Sequence, residues 1–318
     1  MQEYRPGNVS HTNFVFVGFS ALKENRRFLF IPFFLMFLLS LVANSVLIFV
    51  IITHRTLHTP MHVLISCIAC VDLIWPIVIT PKMLLSFLLD WNEISLLGCL
   101  SQMFFVNFIG GLQSSILMGM ALDRYVAICN PLRYNDYVNR SSFFKLFTVV
   151  ILRNLIFNVI VVILAGSHFF CLSNVIDHCF CEHMALVNLA CGSTTKNSVA
   201  GLVASFCITS VDCLCIIVSY VRIFWAVFKT ASVKSCQKAI HTCGTHLIVI
   251  SVSYICAMTA FLTYRIENSM TSNIRVFISI MYILFPGCFN PIIYGIRTKE
   301  IREQILKMYK WQRTVLLQ

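Results

Sequence analysis

Residues 28–53, FLFIPFFLMFLLSLVANSVLIFVIIT, form a stretch of 26 residues without a formally charged side chain. A helix rises 1.5 Å per residue, so about 20 apolar residues cross a hydrocarbon core of roughly 30 Å. This stretch is therefore long enough to cross a membrane. We predict that it forms a membrane-spanning helix and not a core element of a soluble domain.

The same pattern recurs along the chain. Of 318 residues, 58% are hydrophobic and 12% are charged, whereas a soluble domain carries about 25% charged residues. Backbone groups in lipid must satisfy one another, and strand-length segments of alternating polarity are absent from the sequence. We therefore predict an all-α fold, a seven-transmembrane-helix bundle. The predicted spans are Phe28–Thr53, Pro60–Leu88, Gly98–Cys129, Phe143–Phe169, Lys196–Phe228, Lys238–Tyr264 and Ile274–Tyr294.

The basic residues predict the orientation of the chain. The 24 Lys and Arg outnumber the 13 Asp and Glu, a balance that would also suit a nucleic-acid-binding protein. The bases concentrate between alternate apolar blocks, which is the positive-inside pattern of membrane proteins. We expect a multi-pass plasma-membrane protein in contact with membrane lipid, with no nucleic-acid partner, an extracellular N terminus and a cytoplasmic C terminus.

The two ends of the chain are short and polar. We predict an extracellular segment over residues 1–27, a seven-transmembrane domain over 28–294 and a cytoplasmic tail over 295–318. Asn8 begins an Asn-Val-Ser triplet, which is a glycosylation acceptor on the outer side. Residues 297–310 carry apolar side chains at helical spacing, which predicts a short amphipathic C-terminal helix on the inner leaflet, with a disordered tail as the alternative.

The fifteen cysteines fall into two groups. Thiols inside the spans behave as small apolar residues. Cys171, Cys179, Cys181 and Cys191 instead cluster in the loop after the fourth span, and Cys99 opens the third span on the same oxidising side. Five outer cysteines allow two disulfides and leave one thiol. Zinc binding with nearby histidines is the alternative.

The segment MALDRYVAICNPLRY at 120–134 resembles the cytoplasmic end of the third helix in odorant receptors, a family of rhodopsin-like G-protein-coupled receptors. The sequences GIRTK at 295–299 and CEH at 181–183 are similar to the fish-like, class I branch. Other motifs similar to the family follow in the expected order and cover nearly the whole chain: Gly18-Phe19, Asn44, LHTPM at 57–61, Asp72, Ser219-Tyr220, Lys238-Ala239, Thr242-Cys243, His246-Leu247 and NPIIY at 290–294.

The resemblance implies a receptor and not an enzyme. A small-molecule odorant would bind among the helices on the outer side, and a stimulatory G protein would respond by raising cyclic AMP, with no cofactor. The resemblance also implies the disulfides Cys99–Cys181 and Cys171–Cys191, which leave Cys179 as a free thiol. A non-olfactory chemoreceptor for a lipid-like or metabolite ligand is an alternative. A transporter has weaker support, because the spans show neither internal repeats nor a polar path.

Two sets of polar residues inside the membrane have separate roles. The resemblance implies that Asp123 and Arg124 hold the resting state, and that Arg124 meets the G protein once the sixth helix moves. A small difference in contact energy is enough to shift such a switch. The residues assigned to coupling are Asp123, Arg124, Tyr125, Tyr220, Lys238 and Tyr294.

The second set is a mid-membrane cluster of Asn44, Asp72, Gln113 and Asn290. An ionisable group in a span is costly unless it is paired or hydrated. We expect the cluster to hold water or a weakly bound sodium ion, with helix-packing hydrogen bonds as the alternative. Members of the family commonly carry an acid where this chain has Gln113, and the missing charge argues against tight sodium binding. We predict no other metal site.

A largely apolar pocket with a few polar groups is expected between the outer halves of the helices. Gly110 and Gly111 either leave space for a ligand or allow close helix packing. Arg265 lies about 16 Å beyond Tyr254 and would bind a carboxylate through two parallel hydrogen bonds; the alternatives are snorkelling or pairing with an outer Glu (Glu267 or Glu182). The predicted ligand residues are Val106, Asn107, Gly110, Gly111, Ala204, Ile208, Tyr254, Met258, Phe261 and Arg265.

Overall fold

The computed structural model describes residues 10–230, 233–265 and 270–315, and the side chains in these ranges except at 23–24, 230, 233–242, 264–265 and 309–315. The described residues contain seven helices long and apolar enough to cross a membrane, which confirms the predicted bundle. The helices are α1 (Phe30–Thr53), α2 (Pro60–Leu89), α3 (Leu96–Cys129), α4 (Arg140–Gly166), α5, α6 (Val233–Arg265) and α7 (Ser272–Arg297). The fifth, α5, consists of Thr195–Ser205, a π-helical turn at Phe206–Ser210 and Val211–Thr230.

The ends of the helices follow capping side chains more closely than the apolar pattern. The Asn139 side chain accepts from the backbone N–H of Ser142 at 2.9 Å, so α4 begins three residues before the first apolar residue of the predicted span. The prediction of Phe143–Phe169 placed both ends of this helix too late. At α3 the Ser95 hydroxyl accepts from Gly98 in the same way. A capping residue satisfies backbone N–H groups that the helix itself leaves without partners.

The centre of the bundle is formed by α2, α3 and α7. These helices carry most of the large, fully buried side chains, including Trp75, Met103 and Tyr294. In contrast, α1, α4 and α5 expose many Leu, Ile, Val and Phe side chains on the faces directed away from the bundle. Such faces suit a lipid environment, in which apolar exposure carries no cost.

A small three-stranded sheet covers the end of the bundle that we expect to face outward, and it departs from the purely helical prediction. The central strand β1 (Asn13–Phe16) pairs antiparallel with β2 (Glu93–Ser95) and parallel with β3 (Val175–Ile176). Phe14 and Phe16 alternate with Val15 and are buried below the sheet. The N-terminal segment therefore forms part of a cap, and its first nine residues, including Asn8, lie outside the described residues.

Both disulfides implied by the resemblance are present. Cys99–Cys181 joins α3 to the second outer loop, with the two Cα atoms 5.3 Å apart, and Cys171–Cys191 closes that loop on itself. Cys179 is a free, buried thiol, and burial raises the pKa of this thiol. Any side chain at Gly18 would collide with Cys179. Among the described residues, no group of three His, Cys, Asp or Glu side chains could hold a metal ion.

An amphipathic helix, α8 (Lys299–Val315), follows the last span and confirms the predicted C-terminal helix. It begins two residues later than predicted. Ile301 is fully buried, and Ile305 packs against the same core, while Arg302 and Glu303 are exposed. The apolar face of α8 therefore packs against the inner end of the bundle.

Candidate functional site

A cavity of about 500 Å³ lies between the outer halves of α3, α5, α6 and α7, beneath the second outer loop. The predicted ligand residues that line it are Val106, Asn107, Gly110, Gly111, Ala204, Ile208, Tyr254, Met258 and Phe261. The tenth, Arg265, is the last residue of α6, and its side chain lies outside the described part of the structure. Counting along helices from recognisable motifs therefore placed nine of ten residues on this cavity.

The lining residues that the sequence analysis missed include two groups with a recognisable signal. Ser279, Tyr282 and Ile283 of α7 face the cavity at spacings of three and four residues, a helical pattern that the sequence contained. The second outer loop contributes the other group, which includes Phe180, Glu182, His183 and Met184. The pairing of Cys181 with Cys99 was the available signal for this group, because it holds the loop above α3.

Both alternatives considered for the glycines of α3 apply. A Cβ atom at Gly110 would lie 3.1 Å from the Tyr282 hydroxyl and 3.2 Å from the Trp75 ring, and one at Gly111 would collide with Asn154. The glycines thus permit close packing against three helices. They also line the cavity, so their missing side chains contribute to its volume.

A buried ion pair lies beside the floor of the cavity and was also missed. The two terminal guanidinium nitrogens of Arg153 in α4, Nη1 and Nη2, donate to the carboxylate of Asp212 in α5 at 2.8 and 2.9 Å. Asp212 is fully buried and also accepts from the hydroxyls of Ser114 and Ser115, each at 3.0 Å. A carboxylate in the membrane is costly without such partners. The pair therefore holds α3, α4 and α5 together.

Tyr254 connects this ion pair to α6. Its hydroxyl lies 2.9 Å from that of Ser114, and both residues line the cavity. Ser114 has one hydroxyl proton, which it donates to Asp212, so the Tyr254 hydroxyl donates to Ser114. Among the contacts described, the Ser114–Tyr254 hydrogen bond is the one that joins this network to α6. A ligand on the cavity floor would touch this hydrogen bond.

The mid-membrane cluster is organised around Asp72. Its two carboxylate oxygens accept from the side-chain amides of Gln113 and Asn290, each at 2.7 Å. Asn44 does not bond to the carboxylate in this arrangement, but donates to the backbone carbonyls of Ser40 and Gly287 at 2.8 Å. Each carboxylate oxygen keeps a second lone pair, and the Oδ1 atoms of Asn44 and Asn290 are buried without a hydrogen-bond partner. The arrangement therefore fits both the hydrogen-bonding alternative and a weakly bound water or sodium ion.

The inner end of α3 carries the predicted switch. The guanidinium of Arg124 lies 3.7 Å from the Asp123 carboxylate, which also accepts from the hydroxyl of Tyr134 at 2.6 Å. Tyr134, in the inner loop after α3, was not predicted to take part. Burial and the neighbouring Asp123 carboxylate raise the pKa of Tyr134, so its hydroxyl stays protonated as a donor.

The other predicted coupling residues surround this pair to different degrees. Tyr220 and Tyr294 are buried side chains of α5 and α7, and Tyr125 is partly buried beside the core. The ring of His246 in α6 lies 5.8 Å from that of Tyr294. The side chain of Lys238 lies outside the described residues.

Seven spanning helices with a ligand-sized cavity on one side and an Asp-Arg pair at the other side define the fold class as the rhodopsin-like seven-helix bundle. The fold agrees with that of squid rhodopsin, a solved structure, with a TM-score of 0.72 and 16% sequence identity. The match covers 91% of this chain and 87% of the squid rhodopsin chain.

Sequence comparison defines the family. The family profile described as "Olfactory receptor" matches residues 33–312. The chain is 39% identical over 296 residues to human olfactory receptor 52D1, covering 93% of each chain. It is 35% identical over 308 residues to human olfactory receptor 52K1, covering 96% of this chain and 98% of that one. The chain belongs to the olfactory receptor family.

Family membership establishes the general role of the chain. It is a multi-pass receptor of the plasma membrane and belongs to a family of signalling proteins, not of enzymes. Its partners by family are a small-molecule ligand and a G protein.

Proposed function

We propose that this receptor binds a small acidic or polar odorant in the outer cavity and activates a stimulatory G protein, which raises cyclic AMP. The observation that carries the proposal is the Ser114–Tyr254 contact, because it lies on the cavity floor and joins α6 to the buried ion pair. In the proposed orientation the N terminus is extracellular and the C terminus cytoplasmic. The concentration of basic residues near Arg124 and Arg297 supports this orientation.

The position of Arg265 supports an anionic ligand. It ends α6 one turn beyond Phe261 and two turns beyond Met258, both of which line the cavity. Its backbone therefore stands at the outer end of the cavity wall. In our proposal the guanidinium binds a carboxylate through two parallel hydrogen bonds while the rest of the ligand extends toward Tyr254.

Glu182, an acidic residue that lines the cavity, has a structural task in the outer loop. Glu182 accepts a hydrogen bond from the backbone N–H of Ala185 at 2.7 Å and so caps the short helix His183–Val187 in the outer loop. Its charge favours the N-terminal end of that helix. We infer that Glu182 shapes the roof, while Arg265 selects the ligand.

At the inner side, the proposal assigns the response to the Asp123–Arg124 pair. Movement of α6 would separate Arg124 from Asp123 and expose it to the G protein. Tyr220 and Tyr294, which are buried in the present arrangement, would then repack around it. A ligand shifts this equilibrium only if it contacts the two states differently, and the Tyr254 hydroxyl is a group that can make that difference.

The proposal is tested by a cyclic-AMP reporter assay in cells that carry the receptor and a stimulatory G protein. The panel contains short carboxylic acids, amines, alcohols, prostaglandin-like acids and bile-acid-like acids. We expect responses concentrated among the acids and lost in Arg265→Ala at equal surface expression. Arg265→Lys keeps the charge but not the paired geometry, so it should retain a weaker response.

Lys196→Ala is the matched control, because Lys196 is an exposed base at the outer end of α5 that does not line the cavity. Its responses should equal those of the unmodified receptor. Responses only to neutral or cationic compounds would reject the anion site but retain the receptor. A response confined to lipid-like acids would favour the non-olfactory chemoreceptor. Silence toward the whole panel, with the receptor at the surface, would count against coupling to a stimulatory G protein.

A further inference from the structure

The roof that the second outer loop forms over the cavity is fixed and buried. Phe180, Cys181 and His183 line the cavity, yet only 3%, 1% and 8% of their surfaces are exposed. The Cys99–Cys181 disulfide fixes this part of the loop to α3, and the backbone N–H of Cys181 donates to the Gln102 side chain at 2.9 Å. A ligand arriving from water through this part of the roof would have to displace buried groups.

The side wall between α5 and α6 is different. Leu202 and Phe206 of α5 and Met258 of α6 also line the cavity, but 45%, 65% and 48% of their surfaces are exposed. Because these side chains border both the cavity and the outside, the wall at this place is a single layer of side chains. Because all three residues lie in spanning helices, the outside at this place is the bilayer.

The depth of these residues places this thin wall in the outer leaflet. Leu202 and Phe206 lie about 10 and 16 Å along α5 from its outer end at Thr195. Met258 lies about 10 Å below the outer end of α6 at Arg265. The hydrocarbon core is roughly 30 Å thick, so Leu202 and Met258 face the acyl chains of the outer half and Phe206 lies near the middle of the bilayer.

The construction of α5 explains why the wall is thin here. Its outer piece, Thr195–Ser205, packs against α4 and the short loop helix, whereas Val211–Thr230 packs against α3 and α6. The π-helical turn Phe206–Ser210 joins the two pieces. A π turn changes the direction of the following side chains and is frequent at functional sites. Here Phe206 is exposed while Ile208, two residues on, is buried at the cavity.

We propose that ligands reach the cavity sideways from the outer leaflet, through a gap between α5 and α6 bordered by Leu202, Phe206 and Met258. Among small acidic or polar odorants, this route favours those with an apolar tail that concentrates in the bilayer, such as straight-chain acids and alcohols. This inference rests on the proposed function only in taking the cavity as the ligand site. Met258 suits this position, because a thioether side chain with three rotatable bonds adapts readily to a passing chain.

The test uses a photoreactive probe, an eight-carbon alcohol with a diazirine in its chain, added to the purified receptor in lipid nanodiscs. Labelling of Ala204 and Ile208, two buried residues of the cavity, is followed in time by mass spectrometry. Leu202→Trp and Met258→Trp fill the gap and should slow this labelling by about tenfold, equivalent to a barrier higher by roughly 1.4 kcal/mol. Met258→Ala widens the gap and should speed it.

Val203→Trp and Ile255→Trp are the matched controls, because these neighbours are 45% and 64% exposed but do not line the cavity. Both should label like the unmodified receptor. Equal rates in the narrowed, widened and unmodified receptors would overturn the proposal, as would an unlabelled cavity in the unmodified receptor. If the tryptophan variants fail to fold, Met258→Ala alone decides between these outcomes. Labelling requires no G protein, so silence in the cyclic-AMP assay combined with gap-dependent labelling would reject only the coupling.

Discussion

The hydroxyl oxygens of Ser114 and Tyr254 lie 2.9 Å apart on the floor of the outer cavity. Ser114 also donates to Asp212, whose carboxylate is paired with Arg153. One hydroxyl–hydroxyl contact thus joins α6 to an ion pair between α4 and α5. If α6 moves when a ligand binds, as we propose, this contact changes with it and would connect the cavity to the proposed switch at Arg124.

Tyr254→Phe removes the hydroxyl and keeps the ring. We expect agonist potency to fall by about two- to tenfold, since a net hydrogen bond is worth about 0.5–1.5 kcal/mol. Surface expression should hold, because Ser114 keeps its bond to Asp212. Cyclic-AMP dose–response curves at matched receptor levels provide the measurement. Tyr137→Phe, at an exposed phenol of the inner loop, serves as the control. An unchanged curve for Tyr254→Phe would remove this contact from the ligand response.

Asp212→Asn leaves Arg153 in the membrane without its counter-charge. Breaking one side of a buried ion pair costs about 3–5 kcal/mol, so we expect a large loss of surface receptor and a lower unfolding temperature. The double variant Arg153→Gln with Asp212→Asn removes both charges and should recover part of the loss. Thermal unfolding of purified Asp212→Asn, Arg153→Gln and the double variant tests this. Additive losses in the double variant would show that the two residues act independently.

The spans were predictable because crossing a membrane requires a long apolar run, and such runs are visible in any sequence. The ends of the spans were less predictable, because capping side chains such as Asn139 and Ser95 begin a helix within polar sequence. The outer sheet was missed for a related reason. Strand β1 has four residues, and it is stabilised by partners that lie far along the chain.

The candidate site also has a part that was predictable from the sequence and a part that was not. Residues of α3, α5 and α6 were found by counting from motifs along helices whose geometry is regular. The pair Arg153–Asp212 was missed although an ionisable residue within a span is a functional candidate by itself. Its two members are 59 residues apart, and their meeting depends on how α4 and α5 rotate. Nothing in the local pattern around either residue specifies that rotation.

Gln113→Glu replaces an amide donor to Asp72 with a second carboxylate. Two adjacent carboxyl groups are rarely ionised together: one of them keeps a proton unless a cation lies between them. We therefore expect a sodium-dependent stabilisation of this variant by roughly 1–2 kcal/mol at physiological sodium, seen as a higher unfolding temperature in sodium chloride than in choline chloride. The unmodified receptor and Gln113→Leu should unfold alike in both salts. A sodium-specific shift in the unmodified receptor would show that the Gln113 amide does not block a cation.

His178 in the second outer loop predicts a dependence of stability on external pH. Burial and, to a smaller extent, the Arg275 charge lower the pKa of His178 from 6.5 to about 3, while its Nδ1 accepts from the Phe180 backbone N–H at 3.2 Å. The folded loop thus holds the imidazole neutral. Below pH 6.5 the His178 imidazole binds a proton in the unfolded chain but not in the folded one. The contribution of His178 to the free energy of unfolding is therefore fully present above pH 6.5 and is lost as the pH falls toward 3.

Between pH 6.5 and about 3, the free energy of unfolding falls by about 1.4 kcal/mol per pH unit because of His178. Thermal unfolding at pH 7.5 and pH 5.5 should therefore show a clear drop for the unmodified receptor. In His178→Asn, an amide oxygen can accept the same backbone hydrogen bond but does not titrate, so the drop should shrink. Because the other outer histidines are retained in that variant, the difference between the two receptors isolates His178. Parallel drops in both would show that other groups control the acid sensitivity of the cap.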